Sequence, residues 1–167
     1  AKFPGASPML WDESRDGHRA IVSLYSETDP GQYFLFDTVD NKLEKLFDSR
    51  AAFWIAKPVA STAFTVRSPD GLDIQAFLTL PGSGAKPYPL VVMPHGGPIG
   101  VADNRAFNPG VQILASRGFA VLRVNYRGSS GGGKTFLQAG HGKWGREIEQ
   151  DIEQALDHAL ANFPLDR

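Results

Sequence analysis

The spacing of apolar and polar positions changes along the chain and divides it into elements. Up to about residue 50, apolar residues come in short runs separated by turn residues. Ala20-Ile21-Val22-Ser23-Leu24-Tyr25 and Tyr33-Phe34-Leu35-Phe36-Asp37 are strand-like, with Asp29-Pro30-Gly31 as a turn between them. Beyond the turn residues Asp40-Asn41, the run Lys42-Leu43-Glu44-Lys45-Leu46-Phe47 alternates polar and apolar, as a half-buried strand does. From residue 59 the pattern changes. Phe64-Thr65-Val66-Arg67 and Asp73 to Leu80 flank Ser68-Pro69-Asp70-Gly71 and predict a hairpin. Leu90-Val91-Val92-Met93 is a continuous apolar run, the pattern of a strand buried on both faces. Phe107 to Arg117 predicts a helix with Val111, Leu114 and Ala115 on one face, stopped by Gly118. A strand over Phe119 to Tyr126 follows, then a glycine-rich loop over Gly128 to Gly133. Lys143 to Phe163 carries Trp144, Ile148, Ile152, Ala155, Leu156, Ala159 and Leu160 at helical spacing, and Pro164 ends it.

The second part has the order β-β-β-α-β-α. With helices as crossovers, that order predicts an α/β layered domain with a mainly parallel sheet. The first part resembles a single blade of a β-propeller, an antiparallel segment that needs neighbours to bury both faces. A boundary near Pro58 divides the chain into a blade-like segment with its linker, 1–57, and an α/β segment, 58–167.

At 42% hydrophobic residues the chain has material for a packed core, and no apolar run is long enough to span a membrane as a helix. The net charge of −1 arises from scattered charges, which leaves no footprint for nucleic acid or an anionic membrane surface. With no cysteine there is no thiolate nucleophile or thiolate metal site, and the compartment, cytoplasmic or periplasmic, stays open. The opening Ala1-Lys2-Phe3-Pro4-Gly5 has no signal-peptide core and no initiator Met, and reads as an interior point of a longer chain.

Candidate chemistry centres on Pro94-His95-Gly96-Gly97-Pro98, at the end of the apolar strand. Paired glycines let the backbone turn so that amide N–H groups face open space. At the C-terminal end of a buried strand, such amides are what an acyl-transfer site needs to hold a developing oxyanion. The plain alternative is a tight turn. Two further motifs overlap after the next strand. Gly128-Ser129-Ser130-Gly131-Gly132-Gly133-Lys134-Thr135 fits a phosphate-binding loop, but Gly140 and Gly142 break any helix from Lys134 within two turns. Gly128-x-Ser130-x-Gly132 fits a nucleophile elbow, with Asp151 and His158 following in hydrolase order. The elbow needs a sharp strand-to-helix turn, whereas this loop reads as flexible with no helix against it. Seven residues apart on one helix, Asp151 and His158 are also roughly 10 Å from each other, too far for a hydrogen bond. Glu147, Glu149, Asp151 and Glu153 read as the solvated face of that helix, and His18, His141 and His158 show no metal-ligand spacing. No cofactor or metal is expected.

Taken together, the motifs resemble the prolyl oligopeptidase family of serine peptidases. They run from Ser68-Pro69-Asp70-Gly71 and Leu78-Thr79-Leu80-Pro81 through His95-Gly96-Gly97-Pro98, Leu114-Ala115-Ser116-Arg117-Gly118-Phe119-Ala120-Val121, Asn125-Tyr126-Arg127-Gly128-Ser129, Gly142-Lys143-Trp144-Gly145 and Asp151-Ile152. The resemblance covers about residues 60 to 167 and is strongest to the acylaminoacyl-peptidase and dipeptidyl-peptidase-like branch. It implies the N-terminal half of an α/β-hydrolase domain, preceded by the last blade of a β-propeller. It implies a sheet of order 1-2-4-3-5, with the Leu90–Met93 strand beside the strand that carries the nucleophile. In relatives, a stretch like Pro164-Leu165-Asp166-Arg167 comes just before that nucleophile strand. The catalytic Ser, and the Asp and His after it, are therefore expected outside these residues. The backbone N–H of Gly97, with Gly96 as second choice, resembles half of the oxyanion hole, and His95 shapes the turn rather than acting as base.

The expected activity of the whole protein is hydrolysis of short peptides through an acyl-enzyme, with this chain inactive alone. Its expected partners are that peptide and the remainder of the catalytic domain, or a second copy, joined through an open sheet edge. The alternatives are a non-catalytic module pairing through that edge and, more distantly, a nucleotide binder at 128–135. The sequence does not choose between aminopeptidase, acylpeptidase and esterase.

Overall fold

The computed structural model describes residue 3 and residues 5–49 and 57–166. Of the sequence expectations, Ala1, Lys2 and Pro4, the linker over 50–56 and the terminal Arg167 lie outside the described residues. Strands β1 (Ser7–Glu13), β2 (Arg19–Tyr25), β3 (Gln32–Asp37) and β4 (Lys42–Asp48) form an antiparallel sheet in sequential order. The turn at Asp40-Asn41 is built by Asp37, whose Oδ1 accepts from the Val39 and Asp40 amides at 3.0 and 3.1 Å. Strand β1 has no sequence signal because all of it is exposed, so nothing forces Met9-Leu10-Trp11 to alternate. On one face Trp11, Tyr33 and Phe47 stack in succession, with ring centroids 5.7 and 4.8 Å apart. The Trp11 indole donates to Ser23 Oγ at 2.9 Å.

The second sheet contains β5 (Ser61–Arg67), β6 (Asp73–Thr79), β7 (Tyr88–Val92), β8 (Ala120–Asn125) and β9 (Leu165–Asp166), in the order β5-β6-β8-β7-β9. Pairings β5–β6 and β6–β8 are antiparallel, whereas β7 is parallel to both β8 and β9. The sheet is mixed, and becomes parallel where helices make the crossovers. Three helices connect its strands: α1 (Pro109–Ser116) between β7 and β8, then α2 (Gly133–Ala139) and α3 (Glu147–Asn162) between β8 and β9.

The helices begin later than the apolar spacing suggests, each for a local reason. Asn108 caps α1 by accepting from the Val111 amide at 3.1 Å, and Pro109 occupies the first turn. Gly145 takes φ 72°, which a continuing helix excludes, so Trp144 falls in the turn before α3 and stands 57% exposed instead of on the apolar face. Helix α2 has no apolar pattern to announce it, and none of its residues is buried.

The two faces of the second sheet differ in chemistry. Ile74, Ala76, Leu78, Ala120, Leu122 and Val124 pack with Ile148, Ala155 and Ala159 of α3 in one apolar core. The alternate residues of β8, Val121, Arg123 and Asn125, are also buried. Arg123 donates to Asp103 Oδ1 at 3.2 Å and to the Asn104 carbonyl at 3.0 Å, and Asn125 donates to the Asp103 carbonyl at 3.0 Å. These bonds anchor the segment between β7 and α1. Gln112 on α1 is buried too, bonded in both directions to the Val59 backbone at 2.8 and 3.0 Å.

The two sheets meet at Glu27. Its Oε1 accepts from the Ser61 amide at 2.6 Å, and its Oε2 from Arg105 at 2.7 and 3.1 Å. Burial opposes ionisation of this carboxyl, but the bonds from Arg105 and Ser61 outweigh it and hold Glu27 below the usual carboxylate range.

Candidate active site

Strand β7 ends when the Met93 amide donates to the Leu122 carbonyl at 2.8 Å. The chain then turns through His95-Gly96-Gly97. Gly97 takes φ 126°, and a Cβ there would meet Val101 Cγ2 at 3.0 Å and the Ile99 nitrogen at 3.2 Å, so the position requires glycine. Gly96 and Gly97 are both exposed. Among the described residues, neither of their amides has a hydrogen-bond partner.

A second turn, Tyr126 to Ser130 after β8, holds this one in place. The Gly100 amide donates to Gly128 O at 2.9 Å and the Ser130 amide to Val101 O at 3.0 Å. The His95 ring stacks on Tyr126 with centroids 4.4 Å apart, and Tyr126 Oη donates to the His95 carbonyl at 2.7 Å. His95 Nδ1 lies 3.0 Å from Gly96 O and Nε2 lies 2.9 Å from Ser129 Oγ. A carbonyl only accepts, so the imidazole hydrogen is assigned to Nδ1, facing Gly96 O. The Ser129 hydroxyl has a single hydrogen, which is shared between Tyr126 O at 2.7 Å and His95 Nε2 at 2.9 Å in a three-centre bond. Ser129 is fully buried, so this Ser–His contact is a brace and not a nucleophile facing substrate.

Arg127 braces the same turn from below. It is 4% exposed and donates to Asp151 Oδ2 and Oδ1 at 2.8 Å each, and to Asp70 at 2.7 and 3.0 Å. Its amide also donates to Asp151 Oδ2 at 2.9 Å. The Arg127 guanidinium, with a smaller contribution from Ser68, pulls the Asp70 carboxyl down to about 2. Bonding to Asp151 and then Asp70 outweighs burial and raises the Arg127 pKa. Asp151 therefore departs from the expected solvated acidic face: it is fully buried as the counter-ion of Arg127. Glu149 and Glu153 are exposed, and Glu147 pairs with Lys143 at 2.5 Å.

The overlapping motifs at 128–135 take no part in phosphate or nucleophile geometry. Against the expectation that no helix lies against this loop, α2 starts at Gly133, and the Gly128 amide donates to Phe136 O at 3.0 Å. Together with the Ser129 amide, which donates to Tyr126 O at 3.0 Å, and that of Ser130, these donors point into the protein and not toward a phosphate. Ser130 is exposed, but Asp151 is committed to Arg127 and His158 stacks on Phe64 at 4.9 Å, so no triad assembles around it. Beside the loop is a cavity of about 680 Å³ whose lining includes Gln75, Asp103, Asn125, Thr135 and Phe136 but none of residues 95–98. Among the described residues no group of three or more metal-ligating side chains converges. Sequence reasoning missed the Arg127 hub and the Ser129–His95 contact, since neither leaves a periodicity.

Comparison with known proteins agrees with this architecture. Residues 105–167 match the model of the prolyl oligopeptidase family. The chain is 34% identical over 148 residues to dipeptidyl aminopeptidase BIII of Pseudoxanthomonas mexicana, covering 84% of this chain and 21% of that protein. It is 40% identical over 98 residues to the human acylamino-acid-releasing enzyme, covering 58% of this chain and 13% of that protein. The Pyrococcus horikoshii acylaminoacyl peptidase structure superposes with a TM-score of 0.74 at 26% identity, over 99% of this chain and 26% of that one. The chain thus spans about a fifth to a quarter of the dipeptidyl aminopeptidase and the archaeal peptidase. By sequence, strand order and the placement of its motifs, this chain belongs to the prolyl oligopeptidase family.

Proposed function

We propose that this chain is the part of a serine peptidase that supplies one side of the oxyanion hole, through the backbone N–H of Gly97 or, as second choice, Gly96. The observation that carries the reading is the pair of exposed, unpartnered amides at the C-terminal end of β7. In the whole protein a serine from a later strand attacks a short peptide, a histidine takes its proton, and an aspartate orients the histidine. The developing oxyanion is held by these amides and by one following the nucleophile. The names of relatives that act on dipeptidyl and acylamino substrates support a short peptide as substrate class.

The chain alone is inactive on this reading, because Ser130, its only serine in an elbow-like motif, has no hydrogen-bonded base among the described residues. Incubation with a fluorophosphonate probe, read by intact mass beside a Ser130→Ala control, is expected to give no adduct. An adduct that disappears in the Ser130→Ala control overturns the reading and makes the chain a hydrolase in its own right.

The partner on this reading is the rest of the same catalytic domain. Strand β9 covers only the start of β7, pairing Tyr88 with Leu165 and Pro89 with Asp166, so the expected open edge is partly closed. Leu90 and Val92 line a groove of about 360 Å³ with Leu156 and Leu160. A strand continuing β9 in the same parallel register pairs with Leu90–Val92.

A further inference from the structure

We infer that Tyr126 and Ser129 are positioning residues for the Gly96 and Gly97 amides, both acting through His95. The inference rests on the oxyanion reading above and assigns which side chains aim its donors. A trans peptide is planar, with C=O and N–H pointing in opposite directions. The only cis bonds among the described residues are Lys86–Pro87 and Gly97–Pro98, so the His95–Gly96 and Gly96–Gly97 peptides are both trans. Fixing the carbonyl of either peptide therefore aims the amide of the next residue.

Each of the two peptides has its own fixing bond. Tyr126 Oη donates to His95 O at 2.7 Å, which sets the plane carrying the Gly96 N–H. His95 Nδ1–H donates to Gly96 O at 3.0 Å, which sets the plane carrying the Gly97 N–H. The ring that makes this second bond is itself held in two ways: by stacking on Tyr126 at 4.4 Å, and by the Ser129 hydroxyl at 2.9 Å on Nε2. Without them little holds the Gly96 end of the turn, since no atom lies within 4 Å of where a Gly96 Cβ would stand, whereas Val101 and Ile99 crowd Gly97. Two glycines in succession have the widest backbone freedom of any dipeptide, so side-chain bonds must supply the order that catalysis needs.

The assignment separates the two donors. Ser129 acts on the Gly97 plane and Tyr126 chiefly on the Gly96 plane. Neither side chain touches the reacting atoms. Their removal is expected to lower kcat at nearly constant KM, because the oxyanion exists only in the transition state.

The test uses the complete enzyme with Tyr126→Phe and Ser129→Ala, and Ser130→Ala as a neighbouring control. Active sites are first counted by fluorophosphonate titration, and kcat and KM on a short chromogenic peptide are expressed per titrated site. A loss of about 10- to 100-fold in kcat, with KM within about twofold, is expected for at least the Ser129→Ala variant if Gly97 is the main donor. Tyr126→Phe keeps the stacked ring, so it removes the carbonyl bond without emptying the core. A purely structural role lowers the number of titrated sites but leaves kcat per site within twofold of wild type, and that result in both variants overturns the inference. Absence of labelling in the wild-type enzyme is a different outcome: it overturns the serine-peptidase reading, and this inference with it.

Discussion

Arg127 concentrates most of the buried charge around the site. One guanidinium serves a fully buried carboxylate on α3 and a half-exposed one in the β5–β6 turn. Removing one member of such a pair leaves an uncompensated buried charge, whereas removing both members does not. Arg127→Leu is therefore expected to destabilise the protein by about 3–5 kcal/mol, read by urea denaturation. Adding Asp151→Leu should recover at least half of that loss, and a double variant no better than the single one argues against the pair as the cause. Asp70 gives the same hub a pH signature. Its folded pKa, about 2, lies below that of the unfolded chain, so the unfolded state takes up its proton first. The stabilisation is complete above the ordinary carboxylate range and is lost as pH falls through about 2. An acid titration of Asp70→Asn followed by circular dichroism should be flatter than wild type between about pH 4 and pH 2.

At the level of elements, the turn after β8 and the end of α2 touch backbone to backbone. A Cβ on Gly140 would stand 2.5 Å from Gly128 Cα and 2.7 Å from Arg127 O, and backbone atoms cannot swing aside. Gly140→Ala is expected to cost about 1–3 kcal/mol or more, measured as a fall in the urea midpoint. A Cβ on Gly142, two residues on, meets nothing within 4 Å, so Gly142→Ala carries only the strain of its φ of 70° and should cost less. The elements legible in the sequence are those with an apolar period or a continuous apolar run: β2 to β8, α1 and the apolar face of α3. Strand β1 and helix α2 are not, because neither buries a face and a pattern is the imprint of burial. Asp151 was misread for a related reason. A carboxylate on an amphipathic helix signals solvent until its partner, 24 residues earlier in the chain, is known. At the site the glycine turn was visible as a motif, whereas its bracing by Tyr126 and Ser129 depends on two strands lying side by side.

At the scale of the whole chain, the described residues form two sheets joined through Glu27, and in the second of them β9 pairs with only the first two residues of β7. Leu90, Val92, Leu156 and Leu160 at that margin are an invitation to strand pairing. The 167-residue chain by itself is expected to associate, seen as a scattering mass above 18.1 kDa, and Val92→Lys should lower that mass. A monodisperse monomer in solution scattering would count against the edge as the joining surface. The order of the strands in space also sets a timetable. The segment that borders β7 on its outer side begins at Leu165, about seventy residues after β7 leaves the ribosome. At ~5–20 residues per second, the outer side of β7 stays uncovered for roughly 4–15 s in each round of synthesis. For that interval the apolar strand that ends at the paired-glycine turn is open to pairing with another strand edge, the hazard that nascent-chain chaperones suppress.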